Sequence, residues 1–299
     1  MCMSKNPSRS CVVRKEMQPA FTIVELLIVI GIITLLVSML TPSLIHVKSL
    51  ARAATTRAQV RVMSDALEMF YTNQVVGGSY PPSLWNCTGA NGKKNNPYEA
   101  VGQDDTGRKS PYAAYGAQTL VWALAGADLL GTPGFVEYKM DSLYAIDSGK
   151  KPTSVRQEPM LDLTKVKIQN PKASLLASSN PPPSASVPVI VDSFGIPVLY
   201  YKADKRYAPY NYDRNHNLAF VGGQTEEGLA HPLASDKTVT GLNAFQTYIK
   251  NFQITAAYQP HNPEMFLLIS AGADQRYGTI DDVTNFPLLT ENCDPAFMP

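Results

Sequence analysis

Three carboxylates crowd into nine residues near the C-terminal end of the chain. Asp274, Asp281 and Asp282 lie in the stretch Ser270-Ala271-Gly272-Ala273-Asp274-Gln275-Arg276-Tyr277-Gly278-Thr279-Ile280-Asp281-Asp282-Val283. Glycines at 272 and 278 let the chain fold back, so all three acids can converge. Clustered carboxylates repel one another, and a hard cation with oxygen ligands, calcium above all, relieves the repulsion. A polar surface loop with three solvated acids is the other reading of the same spacing. A fourth acid is isolated rather than clustered: Glu25 is the single charge in the run Phe21–Leu40. A carboxylate inside a membrane span costs roughly 2.5–3.5 kcal/mol on insertion scales, so it needs a partner or a function, or it snorkels to a nearby interface.

Other chemistry is not signalled. The phosphate-binding, dinucleotide-binding and nucleophile-elbow patterns G-x-x-x-x-G-K-[ST], G-x-G-x-x-G and G-x-S-x-G do not occur. The histidines at 46, 216, 231 and 261 have no short ligand spacing, which argues against zinc. Asp213-Arg214-Asn215-His216-Asn217 starts like an EF-hand loop, but Leu218 stands where glycine is needed and Gln224 where glutamate is needed, so a surface turn is expected. The formal net charge of +1 gives no electrostatic case for nucleic acid as a partner. Four cysteines in 299 residues are too few for a disulfide scaffold.

The elements that position these acids begin with the N-terminus. Residues 1–20 hold Lys5, Arg9, Arg14 and Lys15 against Glu16 alone, and the long apolar run follows directly. About twenty apolar residues in a helix cross a bilayer core of ~30 Å. The basic flank predicts residues 1–20 on the cytoplasmic side and the bulk of the chain outside. The run is too long for an ordinary secretory signal, and no A-x-A-like site follows it directly. After Pro42 the pattern turns periodic: Val47, Leu50, Ala51, Ala54, Ala58, Val62, Ala66, Met69 and Phe70 are the expected core stripe of an amphipathic helix that stops near Asn73 and Gly77-Gly78. The two halves together predict one helix of about fifty residues, roughly 75 Å long.

Beyond it, Tyr80-Pro81-Pro82-Ser83-Leu84 reads as extended chain and residues 86–116 as a long loop. A short helix is expected over 117–130, and a linker or surface excursion over the Pro- and Ser-rich 169–188. Val187–Tyr201 reads as a hairpin turning at Asp192-Ser193-Phe194-Gly195, and Met265–Ser270 as a further strand. The expected fold class is α+β: a long N-terminal helix on a small antiparallel sheet, with insertions near 85–186 and 202–264. The expected organisation is a leader at 1–20, a membrane or assembly half-helix at 21–41, an amphipathic half at 42–76 and a head at 77–299.

Ala20-Phe21-Thr22-Ile23-Val24-Glu25-Leu26-Leu27 resembles the leader junction of type IV pilins and type II secretion pseudopilins. The resemblance implies that a prepilin peptidase cuts between Ala20 and Phe21, methylates the new N-terminus, and leaves Glu25 to serve in subunit assembly. Ala20 stands where the family usually has glycine. Tyr80-Pro81 is similar to the segment that follows the long helix in pseudopilins, and Asp192–Pro197 to their "D-x-W-G-x-P" segment, with Phe194 in place of tryptophan. The acidic stretch resembles the calcium loop of the major pseudopilin. That likeness implies ligation by the Asp274, Asp281 and Asp282 carboxylates and the Ala271 carbonyl, with Gln275 where the family has glycine. The resemblance spans 20–84, 187–201 and 265–286, under half of the chain.

The function so implied is that of a non-enzymatic filament subunit of a type II secretion pseudopilus or a related type IV filament. Its expected partners are further copies of itself, other pseudopilins and the prepilin peptidase. Its expected place is the inner membrane, crossed once, with the head on the extracytoplasmic side. A type IV pilin for adhesion, motility or DNA uptake, and an exported enzyme on a pilin-like anchor, are the alternatives. Cleavage would leave Cys87 and Cys293 in an oxidising compartment, where they either join or stay as two unrelated buried thiols. A bond between them would close a loop of about 200 residues, worth at most roughly 5 kcal/mol.

Overall fold

The computed structural model describes residues 22–73, 78–85, 114–126, 128–132, 156–172, 176–177, 187–236, 238–239 and 241–293. The chain divides into two units, Met1–Lys48 and Ser49–Pro299, with the division inside the first helix. That helix, α1, runs Ile23–Thr72 and continues through Pro42. Its length matches the fifty residues expected from the two hydrophobic patterns.

In the first unit the apolar side chains of α1 are exposed, from Ile23 at 79% to Leu44 at 74%. This is the one helix among the described residues that is long and apolar enough to cross a membrane. Its few hydroxyls are satisfied internally: Thr34 donates to the Ile30 carbonyl, Ser38 to Leu35 and Thr41 to Val37. A helix that bonds its own backbone and hydroxyls leaves little polar surface to solvate, as a bilayer demands.

In the second unit α1 has a one-sided core stripe: Thr56, Val60, Met63, Ala66, Leu67 and Phe70 are buried. Of the stripe expected from sequence, Ala66 and Phe70 are buried and Val62 is partly buried, while Val47, Leu50, Ala51, Ala54, Ala58 and Met69 are exposed. The reason is geometric. Successive steps of four advance ~40° per step and wind the set around the helix, whereas Thr56, Val60, Met63, Leu67 and Phe70 alternate steps of four and three and stay on one face.

The head is built on small antiparallel sheets. β1 (Leu84–Trp85) pairs with β2 (Ala114–Tyr115), and α2 (Gly116–Ala125), buried along its whole length, follows at once. The helix ends at Ala125, with Gly126 as its C-cap, five residues earlier than the apolar pattern suggested. β3 (Lys167–Gln169) pairs with β4 (Val189–Val191). β5 (Leu199–Lys202) pairs with β8 (Phe266–Ser270), which pairs on its other edge with β9 (Val283–Thr284). A further pair, β6 (Thr238–Val239) and β7 (Leu242–Asn243), lies in the long connection from β5 to β8.

Two sequence expectations change here. The hairpin of 187–201 is real only at its turn, where Asp192 N donates to Ile196 O and Val198 N to Ile190 O. Its strands then separate, β4 to β3 and β5 to β8. Pro197 cannot donate to a ladder, which limits the turn-proximal pairing to a single bridge with Val191. The start of the expected linker at 169–188 is also structured, since Gln169 closes β3.

The central sheet is covered on both faces. Tyr200, Leu268 and Phe266 pack with the α1 stripe and α2, while Leu199, Tyr201, Leu267 and Ile269 pack with Phe220, Phe245, Tyr248 and Tyr277. This period-two split explains the unbroken apolar run of β8, because a strand buried on both faces needs apolar residues at every position. The connection 202–264 is mostly irregular, as expected, apart from the β6–β7 pair, 3-10 turns and the single helical turns Leu218–Val221 and Ala244–Tyr248. It supplies the second cover of the sheet. Asp213 caps one of those 3-10 turns by accepting from Asn215 N, so the EF-like segment is a turn.

Candidate metal loop and helix-end carboxylate

β8 and β9 carry the three clustered acids on the connection between them. Ala271, the first residue after β8, is buried, and Val283 opens β9 directly after Asp282. The two strands thereby fix both ends of the loop. Gly272 lies at φ 63°, and a Cβ there would meet the Asp281 carbonyl at 2.4 Å and its Oδ2 at 2.6 Å. Gly278 lies at φ 99°, where a Cβ would meet Leu233 N at 2.7 Å. Gly272 therefore works as the spacing suggested, letting the loop close on itself, whereas Gly278 gives room to Leu233 of the β5–β8 connection. Gln275 adopts φ 60° although it is not glycine. That left-handed backbone costs about 1–2 kcal/mol for a side-chain-bearing residue.

The loop brings the three carboxylates together. Asp274, Asp281 and Asp282 each offer an oxygen, all within 4.8 Å of one another, with Asp274 and Asp281 exposed and Asp282 buried. Oxygens bound to one calcium at about 2.3–2.6 Å lie no more than roughly 5 Å apart, so the spacing and the all-oxygen donor set fit that ion. Each acid is held in place. Asp281 Oδ2 accepts from Ala273 N (2.7 Å) and Asp274 N (3.1 Å), and its Oδ1 accepts from Thr279 Oγ1 (2.6 Å). Asp282 Oδ2 accepts from Tyr248 OH (2.6 Å) and Gly278 N (2.8 Å). Asp274 Oδ1 accepts from Arg276 N at 2.8 Å.

Two of the three, Asp282 and Asp274, resist ionisation. Burial pushes Asp282 well above the usual carboxylate range, against the pull of the Tyr248 and Gly278 donors, and its two acidic neighbours add repulsion. Desolvation pushes Asp274 up to about 6, with repulsion from Asp281 adding to it. Spacing alone located the three acids. It could not locate Tyr248, 34 residues from Asp282 in sequence and on a five-residue helix in the β5–β8 connection.

Glu25 is held quite differently. Thr22 N and Thr22 Oγ1 both donate to Glu25 Oε2 at 2.9 Å, and Glu25 N donates to Thr22 Oγ1 at 3.2 Å. This is a capping box that satisfies the first amides of α1. Its signal, T-x-x-E ahead of an apolar run, is legible in Thr22-Ile23-Val24-Glu25. Ala20 and Phe21 lie outside the described residues, as does Cys87. Cys293 is a buried free thiol, its pKa pushed up to about 12 by burial and then by Asp282 and Asp281.

One further group has a hydrolase-like composition. Ser83 Oγ lies 2.6 Å from His216 Nδ1, and Asp213 Oδ2 lies 4.0 Å from His216 Nε2. Ser83 is only 2% exposed, and 4.0 Å is beyond hydrogen-bond reach. The pair pins the segment ahead of β1 to the β5–β8 connection. No protein-family model matches the chain, and no curated protein or solved structure resembles it significantly.

Proposed function

We propose that this chain is a structural subunit of a type II secretion pseudopilus or a related type IV filament. It is cut between Ala20 and Phe21 by a prepilin peptidase and assembles through α1 with further copies and other pseudopilins. It sits in the inner membrane before assembly, with its head on the extracytoplasmic side. The observation that carries the reading is the division of α1 itself. Its first half is predominantly apolar and exposed, so it requires lipid or other helices, while the second half carries a buried stripe within the head. The leader-like junction and the acidic loop, more than two hundred residues apart, support the same family reading independently. The acidic loop binds calcium, with Asp274, Asp281 and Asp282 as carboxylate ligands and the Ala271 carbonyl beside them; the close set of oxygens supports this.

Glu25 serves two roles in this reading, helix cap and charge partner for a neighbouring subunit's N-terminal amine. The substitutions Glu25→Leu and Glu25→Gln separate them, because glutamine keeps the capping box and loses only the charge. Both variants should insert and be cleaved, and neither should give filaments on electron microscopy of sheared cells. Normal filaments from Glu25→Gln would reduce Glu25 to a cap and remove the assembly role.

A further inference from the structure

The long β5–β8 connection is one of the two long stretches for which the family resemblance implies nothing, yet it meets the acidic loop at four places. Leu233 N donates to Tyr277 O at 3.0 Å. Tyr277 N donates back to His231 Nδ1 at 3.3 Å. The Arg276 guanidinium donates through Nε and Nη2 to Ala230 O, at 3.2 and 2.9 Å. Tyr248 OH donates to Asp282 Oδ2 at 2.6 Å. Gly278 packs so closely on Leu233 that a Cβ would sit 2.7 Å from Leu233 N. The helical turn bearing Tyr248 is itself anchored past the loop, where Asn292 Nδ2 donates to the carbonyls of Tyr248 and Lys250 at 2.8 Å each.

These contacts are arranged as a clamp. Ala230 holds the Arg276 side chain, His231 and Leu233 hold the backbone of Tyr277 and Leu233 packs on Gly278, while Tyr248 reaches the one buried acid from another direction. A buried carboxylate whose oxygen has two fixed donors cannot rotate without leaving both unpaired, a loss of the kind that makes buried polar groups rigid. The same carboxylate accepts from Gly278 N, so fixing Asp282 also fixes the turn at Gly278.

We infer that the connection 202–264 is a clamp that pre-forms the 271–282 loop before any ion arrives, with Tyr248 as the positioning residue through which it acts on Asp282. The inference concerns the shape of the loop and stands on these contacts. Only its consequence for ion affinity rests on the calcium reading. A chain with a pre-formed loop spends no ordering entropy when a cation binds, so losing the clamp weakens binding without removing a ligand.

The test is amide hydrogen exchange on the full chain in detergent, in EDTA and in 5 mM calcium. It compares the parent with Tyr248→Phe, which keeps the buried ring, and His231→Phe, which removes the acceptor of Tyr277 N. In EDTA the parent loop should already be protected at Ala273, Asp274 and Gly278. Either variant should speed exchange there by about 10-fold or more, with β5 and β8 unchanged. Calcium affinity of Tyr248→Phe should fall by about 10–100-fold, the usual effect of losing an outer-shell partner. Unprotected loop amides in the parent without calcium would overturn the clamp. So would variants in which loop and strands accelerate by one common factor, the sign of a merely global loss of stability. If calcium changes neither exchange nor melting in the parent, the calcium reading fails, while the EDTA comparison still decides the clamp.

Discussion

The two halves of α1 share one continuous backbone and differ in what their side chains can do with water. From Ile23 to Val47 the apolar groups cover every side of the helix and are exposed. From Val60 to Phe70 the buried apolar groups share one face, packed against α2 and the central sheet, while Met69 stays exposed. A helix that is apolar all round cannot be satisfied by packing one face on a globular head. A striped helix can. The burial partner of the second half is thus encoded in this chain, whereas the first half is long and apolar enough to cross a membrane.

Removing the first half should therefore have the largest effect. The full chain should partition entirely into the detergent-rich phase, and the fragment Ser49–Pro299 should stay in the aqueous phase as a folded monomer. A fragment that unfolds or aggregates would mean that the first half is part of the head's core. Single substitutions sharpen the contrast. Phe70 is fully buried and Leu36 is 53% exposed. Phe70→Ala should destabilise the head by about 3–5 kcal/mol in urea titration, whereas Leu36→Ala should leave it unchanged.

Calcium should act on the head alone. At a hundredfold excess over its Kd it should stabilise the chain by about 2.7 kcal/mol, equally with and without residues 1–48. Asp274→Ala or Asp281→Ala should abolish that shift in a melting experiment. The smallest effect is a pH slope. Burial, and then the charge of Arg276, push the His231 ring down to about 4, below its ordinary value near 6.5. Between those values the unfolded chain binds more protons than the folded one, so this histidine makes stability fall as pH falls from about 6.5 to 4, by no more than about 1.4 kcal/mol per pH unit. Above 6.5 it contributes no slope. Subtracting the urea profile of His231→Phe from that of the parent isolates this term from Asp274, which slopes the opposite way.

Much of this was legible in the residues, in proportion to how local the cause is. The length of α1 follows from two adjacent hydrophobic patterns, and β8 from an apolar run. The phase of the α1 stripe differs from the one its apolar residues suggest because a polar residue, Thr56, begins it, and its hydroxyl accepts from Ser193 N of the β4–β5 turn. β1, β3 and β9 are two or three residues long and exist through their partners, so no local pattern marks them. In the loop, the acids and Gly272 were readable from spacing, since their geometry closes within twelve residues. Tyr248 was not, because nothing near it announces an acid that tertiary folding brings to its hydroxyl. The capping role of Glu25 was readable and is wholly local, three residues from Thr22.

The first half of α1 is the centre of the account, and its history in the cell is open to a direct reading. Intact mass spectrometry of the chain extracted from membranes weighs that history in one measurement. A filament subunit of this kind should give a chain beginning at Phe21 and carrying one methyl group on its N-terminus. A membrane-extracted chain that retains Met1, or one cut after Leu40 so that the apolar half is lost, would contradict it.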